Sequence, residues 1–565
     1  MEMRRGRKEG IWLRRGPSPE AIRLDFPRPV LENLQGSGGA RGGAVFLLNS
    51  WDNLRERLDG LFPSGSLRAR FARGTFWAVA GVVLAQLLAL AASIVVAQIY
   101  NSRPLYGELG LIRNTVIMLG VVAGMGLGLT ANRHVAEFRD TDPARAGRIV
   151  AMSWAVAVVS AALMAVLVLA FAPWLAAWVK TPHLAGALRI GALILFLEAI
   201  NSVQLSTLAG FEAFKTSALL GFLRGVATFP LMTLGAWLGK SQGGDDGALA
   251  GVLWGLAAAA AFGVIANRIM LLRLMRRRGV PKASFAEARR EVRLLWTTSL
   301  PVFLSSVLFV VAPWAASVLL VRVAAGDGGY AVFGLFTAAN QWQYPVTLLA
   351  AQVAAVLLPM LASFPTTVAG RRHSDRAVEA AHYVVIISVL PLAAALSFLA
   401  GPIMSFYGQK FSGAEGAAWV FWAAVFVAGV KSLGTIPGTI LLARGRMWSS
   451  LVINVVWAAV LVALVALRGH DAGSYADAFS TAYLAGAVLG LAWCGALRLC
   501  SWTLVASTAL MIACLGGVTY GMSLSTSVGV RLGLVAGACI VAGLAALKGW
   551  RVLKEGVPAP REPAA

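Results

Sequence analysis

The chain has 565 residues, 58% of them hydrophobic and 13% charged, with mean hydropathy +0.73, which is too apolar for a soluble enzyme. Its net charge of +23 would suit a nucleic-acid binder, but the basic residues lie between apolar blocks of about twenty residues or more, each able to cross ~30 Å of hydrocarbon. Composition therefore points to an all-α polytopic membrane protein and excludes nucleic acid as a partner.

Residues 1–72 read as a cytoplasmic basic tail. The part to about residue 43 is rich in Arg, Gly and Pro and lacks the apolar content of a folded core. Leu47, Leu48, Trp51, Leu54, Leu58, Leu61 and Phe62 then recur at helical spacing with Arg55 and Arg57 between them. That pattern predicts a short amphipathic helix, lying on the cytoplasmic leaflet or packed on the protein's own cytoplasmic loops. The first apolar block follows about seventy polar, basic residues, so no cleavable signal peptide is expected.

Apolar length and breaker residues predict fourteen spans. Six (75–98, 109–131, 149–179, 184–210, 216–238, 248–272) make an N-terminal lobe, 73–272, followed by a basic cytoplasmic loop at 273–293. Six more (294–321, 330–361, 381–406, 414–443, 448–467, 475–496) make a C-terminal lobe, 294–497. Two additional helices, 503–522 and 528–547, occupy 498–547, and 548–565 is a second cytoplasmic tail. With the N-terminus inside, 38 of the 49 Lys and Arg fall on the cytoplasmic side, counting Arg268 at the inner edge of its span. Seven fall outside and four within spans, which follows the positive-inside rule with both termini cytoplasmic. The basic stretch RLMRRRGVPKASFAEARREVR is then a topology signal facing anionic lipid.

The two lobes resemble each other. YGELGL at Tyr106 opens the second span and YAVFGL at Tyr330 opens the eighth, 224 positions later. FKTSALL (Phe214–Leu220) and MWSSLVI (Met447–Ile453) occupy equivalent turns at an offset of 233. Six spans per repeat keep the halves in one orientation, so their pseudo-two-fold axis would lie along the membrane normal with a site between the lobes. Cys494, Cys500, Cys514 and Cys539 all lie in the last apolar blocks without metal-ligand spacing, and no metal or cofactor is expected.

Charges inside spans are costly, and they mark candidate function: Arg113, Arg189, Glu198, Arg224 and Lys431. Arg113 and Arg189 stand about one turn from the outer ends of their spans, where either could snorkel to headgroups. Glu198 and Arg224 stand at similar depths on consecutive antiparallel spans and could pair with each other. Lys431 lies near mid-membrane, over four turns from Glu415, and under the 233 offset it falls on Glu198 within a residue. Asn114, Asn201, Gln204, Asn340, Gln341 and Gln343 add uncharged polar groups, as cavity lining or as hydrogen-bond glue between helices. Prolines 230, 301, 313, 345, 359, 391 and 437 fall inside spans and allow bending.

Fourteen spans, the 6+6 repeat, the basic middle loop and the YGELGL…R opening of the second span resemble the polysaccharide-transporter branch of the multidrug/oligosaccharidyl-lipid/polysaccharide exporter superfamily, the bacterial O-antigen and capsule repeat-unit flippases. FYGQKFSGAEGA (Phe406–Ala417) and SLPVFLSS (Ser299–Ser306) resemble that family's C-terminal half. The resemblance implies an inner-membrane flippase moving an undecaprenyl-pyrophosphate-linked oligosaccharide from the cytoplasmic to the periplasmic leaflet by alternating access. Membrane lipids and polysaccharide polymerase machinery would be its partners; whether H+ or Na+ serves as a coupling ion is left open by the sequence. Arg113, Arg224, Lys431 and Arg189 would then offer a cationic cavity to the pyrophosphate, with Asn114, Glu198, Asn201, Asn340 and Gln341 beside it. The seventh span lacks the polar or acidic residue expected of ion coupling there. A multidrug-type cation antiporter and a lipid II flippase are the transporter alternatives. A membrane glycosyltransferase or polymerase would need a large outer loop, and every outer loop here is about ten residues or fewer.

Overall fold

The computed structural model describes residues 67–554, except 294–299, 325–327, 364–367, 470, 498 and 526. The amphipathic stretch expected at 47–62, the rest of the N-terminal tail and the last eleven residues lie outside the described residues. The described chain divides after Arg73, and both lobes lie in Gly74–Ala565.

Among the described residues all regular structure is helical. The first lobe holds α1 (Leu67–Tyr100), α2 (Arg103–Gly124), α3 (Leu127–Phe138), α4 (Pro143–Trp178), α5 (Leu184–Gly210) and α6 (Phe214–Arg277). The short α7 (Phe285–Ala288) lies in the connection to α8 (Leu300–Val323), α9 (Gly328–Asn340), α10 (Gln343–Ser363) and α11 (Val368–Phe398). After the short α12 (Ala400–Ser405) and α13 (Gln409–Ser412) come α14 (Ala417–Ala443), α15 (Met447–Arg468), α16 (Ala472–Ala496), α17 (Trp502–Leu524) and α18 (Val528–Lys554). Eleven helices are long and apolar enough to cross a membrane, and Val307–Val323 and Gln343–Leu358 are shorter apolar stretches. The chain is a multi-pass membrane protein.

Local chemistry sets the boundaries. Ser102 and Asp142 cap α2 and α4, each one residue ahead of the first helical turn that carries Pro104 or Pro143. Asp471 caps α16 in a capping box with Ser474. The expected spans 216–238 and 248–272 are the two legs of α6, which reverses at Gly243 and Gly244, where φ is −137° and 61°. The legs are in backbone contact. A Cβ placed on Gly235, Gly239, Gly247, Gly251 or Gly255 would stand 2.0–2.3 Å from a carbonyl oxygen of the other leg. Such proximity needs residues without side chains. Gly251→Val should therefore cost about 1–3 kcal/mol or more and lower the melting temperature in detergent; an unchanged melt would show that the legs separate freely.

The basic connection between the lobes is folded onto the first one. Val280 and Ala288 are buried, and a Cβ on Gly147 would stand 2.2 Å from the Pro281 carbonyl oxygen. Glu291, 7% exposed, accepts from Arg145 Nε at 3.4 Å and Arg148 Nε at 3.3 Å. The Ser284 backbone N–H (2.7 Å) and hydroxyl (2.9 Å) donate to Glu287 and hold that exposed carboxyl below its usual range.

Alternate turns gather at the end that carries Arg103, Lys180, Lys240, Arg322, Lys410 and Arg468, the basic-poor end. There the two lobes meet. Helices α2 and α9 run backbone against backbone: a Cβ on Gly107 would stand 2.1 Å from the Tyr330 carbonyl oxygen, and one on Gly334 2.1 Å from that of Arg103. Thr181 Oγ1 and Tyr330 Oη share a hydrogen bond of 2.8 Å, Trp314 Nε1 donates to Thr115 Oγ1 at 3.0 Å, and Gln98 Nε2 donates to the Phe406 carbonyl at 2.7 Å. The Arg322 guanidinium lies 4.6 Å from the Trp178 ring centre. The additional helices α17 and α18 attach to the second lobe, where Leu515 fills the space beside Gly429 and Tyr383 that beside Gly549.

Candidate functional site

Lys431 is the fifteenth of the 27 residues of α14. Its half-buried ammonium donates to Gln343 Oε1 at 2.8 Å and sits 4.5 Å from the centre of the Tyr483 ring. An amide oxygen and a ring face both favour a cation, yet neither neutralises it. Among the described residues no carboxylate forms an ion pair with Lys431. Aromatic packing continues behind it: Tyr483 and Trp457 are 5.0 Å apart, Trp457 and Phe309 5.7 Å, and the buried Trp457 Nε1 has no hydrogen-bond partner. A charge kept in the apolar phase without a counter-ion can serve an anion that arrives with its own.

In the first lobe, Glu198 and Arg224 pair directly. Asn201 Nδ2 reaches Glu198 Oε2 at 3.5 Å, and Asn267 on the second leg of α6 donates to Asn201 Oδ1. A Cβ on Gly263 would stand 3.3 Å from both Arg224 Cδ and Asn201 Nδ2, so that glycine makes room for the cluster. Arg224 is thus a matched charge rather than a free one. Both side chains are about a third exposed (29% and 35%), so losing one partner should cost on the order of 1–2 kcal/mol, between surface and buried pairs. Glu198→Gln and Arg224→Gln should each lower the melting temperature, and the double variant by less than the sum; simple additivity would show that the two do not act as a pair.

The remaining expected residues scatter. Arg113 is half-buried on α2 and has no ion pair among the described residues, whereas Arg189 is exposed on α5, in keeping with snorkelling. Asn114 is half-buried, and Asn340 is exposed as the last residue of α9. No described contact joins Arg113, Arg224 and Lys431: the partners of Arg224 belong to the first lobe and those of Lys431 to the second. Gln341 goes elsewhere again. Its Nε2 donates across the lobe boundary to Ser93 Oγ on α1 and to Tyr106 Oη on α2, the latter at 3.0 Å, while Ser93 and Tyr106 bond each other at 2.5 Å. Tyr106 also packs edge-on against Tyr407 and Phe411 of the second lobe, at 6.1 and 5.6 Å.

The expected span 330–361 is two helices. Pro345 lacks an N–H, and its ring conflicts with the carbonyl four residues back, that of Gln341, where the helix breaks. Trp342 N–H instead bonds Ala339 O at 3.1 Å, closing a turn. A separate small pocket, lined by Leu111, Thr115, Leu175, Leu188, Trp314 and Val318, is apolar and contains none of the charged candidates.

Sequence reasoning missed Tyr483, Trp457, Ser93, Tyr106 and Asn267. The aromatics and the serine carry no signal apart from their partners. Asn267, one helical turn beyond Gly263, could have been flagged as an amide within an apolar block.

This helical architecture has relatives of known structure and sequence. The family profile described as "Polysaccharide biosynthesis protein" matches residues 71–365. The chain belongs to that family. Among solved structures, this family member is similar to the lipid II flippase MurJ in an inward closed conformation, with TM-score 0.60 and 13% identity over 84% of this chain and 98% of that one. It is also similar to a multidrug resistance MATE family transporter of the MOP superfamily in an inward-facing conformation, with TM-score 0.55 and 17% identity over 73% of this chain and 95% of that one. A third is a MOP superfamily transporter from Pyrococcus furiosus whose binding pocket is described as having reverse polarity, with TM-score 0.54 and 16% identity over 77% and 96%. At these identities the likeness establishes the fold. No curated protein sequence matches the family member significantly.

Proposed function

We propose that this family member is a flippase that moves an undecaprenyl-pyrophosphate-linked oligosaccharide from the cytoplasmic to the periplasmic leaflet of the bacterial inner membrane, for O-antigen, capsule or exopolysaccharide synthesis. Both termini are cytoplasmic in this reading, and the basic-poor end is periplasmic. The observation that carries it is Lys431, a cation in mid-span held by an amide and a ring face with no carboxylate paired to it among the described residues. A pyrophosphate supplies the missing negative charge and accepts charge-assisted hydrogen bonds in a low-dielectric setting. The Tyr483 ring next to it suits the apolar face of a sugar, with the buried Trp457 ring packed behind it. Arg113 supplies a second cation nearer the periplasmic side. Arg224, already matched by Glu198, is an auxiliary member of the set.

A cation antiporter needs an available intramembrane carboxylate, and Glu198 is engaged with Arg224 and Asn201. A deletion strain should accumulate undecaprenyl-pyrophosphate oligosaccharide on the cytoplasmic side of the inner membrane. A normal lipid-linked glycan profile with lost drug resistance would overturn the proposal in favour of multidrug export.

A further inference from the structure

The break between α9 and α10 sets two glutamines, two positions apart, to work in opposite directions. Gln341 crosses to the first lobe and holds Ser93 and Tyr106 at the basic-poor end. Gln343 turns into the second lobe and accepts from Lys431. Between them stands Trp342, whose buried indole N–H finds only the buried Tyr407 hydroxyl, in a contact too poorly aligned for a good hydrogen bond. Tyr407 packs on Tyr106, the residue that Gln341 holds. A turn whose buried donors meet only in a poor contact is a place where another arrangement of similar energy is within reach, since repacking can strengthen what the present one pairs weakly. No continuous helix crosses this point, so a shift of Gln343 need not drag α9 rigidly with it.

We propose that this turn is a joint linking the anion site to the closure of the basic-poor end, with Gln343 and Gln341 as its two positioning residues. The proposal rests on the reading of Lys431 as an anion site. The ammonium has three donors, one held by Gln343, and the Tyr483 ring covers another side. An anion drawn to Lys431 pulls the ammonium from the amide oxygen. Gln343 then loses its donor, the 341–343 turn rearranges, and Gln341 lets go of Ser93 and Tyr106. The anion thereby binds better to the state in which the basic-poor end is open, which is the differential affinity that any ligand-driven population shift requires. Closure is kept while the site is empty, and the end opens when cargo has arrived.

The test uses full-length protein in lipid nanodiscs, its four cysteines replaced by serine, and spin labels at Gly186→Cys on the first lobe and Lys410→Cys on the second. Both positions are exposed near the basic-poor end, and Gly186 has open space for a side chain. Undecaprenyl pyrophosphate is the probe, and its binding is measured separately by equilibrium titration. With wild-type residues at the joint, the lipid should lengthen the label distance. Gln341→Leu should give the long distance without lipid. Gln343→Leu, which cannot hold Lys431, should give the long distance without lipid and no further change when lipid is added. Should Lys431→Ala bind the lipid as well as wild type, the anion reading itself fails. Should Lys431→Ala lose binding while Gln343→Leu responds to lipid as wild type does, the anion site stands and the joint is overturned. Gln343→Glu guards against misfolding: it restores an acceptor that holds Lys431 more strongly, so it should keep the short distance at lipid concentrations that open wild type. Opening at the wild-type concentration would also overturn the joint.

Discussion

Lys431→Ala is expected to abolish glycan export while leaving the protein in the membrane at normal abundance. A hydrogen bond to a charged group contributes about 1.5–3 kcal/mol, so affinity for undecaprenyl pyrophosphate should fall about 10- to 150-fold. Lys431→Met, which keeps most of the length and apolar volume, should fail as fully as alanine, because charge rather than packing is required. The side chain is half-buried against an amide and a ring, so neither variant strands a partner ion. Complementation of a deletion strain, read as surface polysaccharide beside an immunoblot for abundance, is the measurement. Full export by either variant would remove Lys431 from the site.

The second large effect is expected at the seam between the lobes. In Gly107→Leu the first added carbon would fall 2.1 Å from the Tyr330 carbonyl oxygen and 2.9 Å from the Gly334 nitrogen, and both are backbone atoms. No rotamer relieves such a contact, so α2 and α9 must separate by an ångström or more, at about 1–3 kcal/mol of overpacking. In the proposed transport cycle that strain falls only on the state in which the basic-poor end is closed. The variant should therefore hold that end open by up to about a hundredfold in the ratio of states, with a long label distance in the absence of lipid and at least tenfold lower export. Gly334→Leu, on the opposite helix, should do the same, because its carbon would meet the Arg103 carbonyl oxygen at 2.1 Å. A wild-type distance and export rate in both would mean that the seam does not control closure.

Much of the fold is legible in the sequence because a bilayer imposes a strong rule: spans must be long, apolar and helical. Thus 184–210 was bounded to the residue, as α5, by the shift from polar to apolar at Leu184 and the turn residues after Gly210. The first lobe's hairpin was read as two spans, and the glycines that draw its legs together carry no hydropathy signal. The span expected at 330–361 hid a break, although Pro345 was visible; a proline marks where a kink is allowed, and only the surroundings decide whether it becomes a gap. The candidate site was legible as charge types and depths. Glu198 and Arg224 do form the pair that their depths allowed. The partners of Lys431 lie 88 positions before it and 52 after it, on two other helices, and no local pattern announces such a meeting.

The anchoring of the connection between the lobes has a mechanical consequence. Because Glu291 is clasped by Arg145 and Arg148 at the base of α4, the reach to α8 is measured from there rather than from the end of α6. Nine steps of chain separate Glu291 from Leu300, which at full stretch span about 30 Å. The link is therefore a leash with a fixed length. However wide the lobes part at the basic-rich end, the start of α8 cannot travel farther than that from the clasp. Glu291→Ala would remove this hold, and the leash would then start from the next one, the buried Ala288.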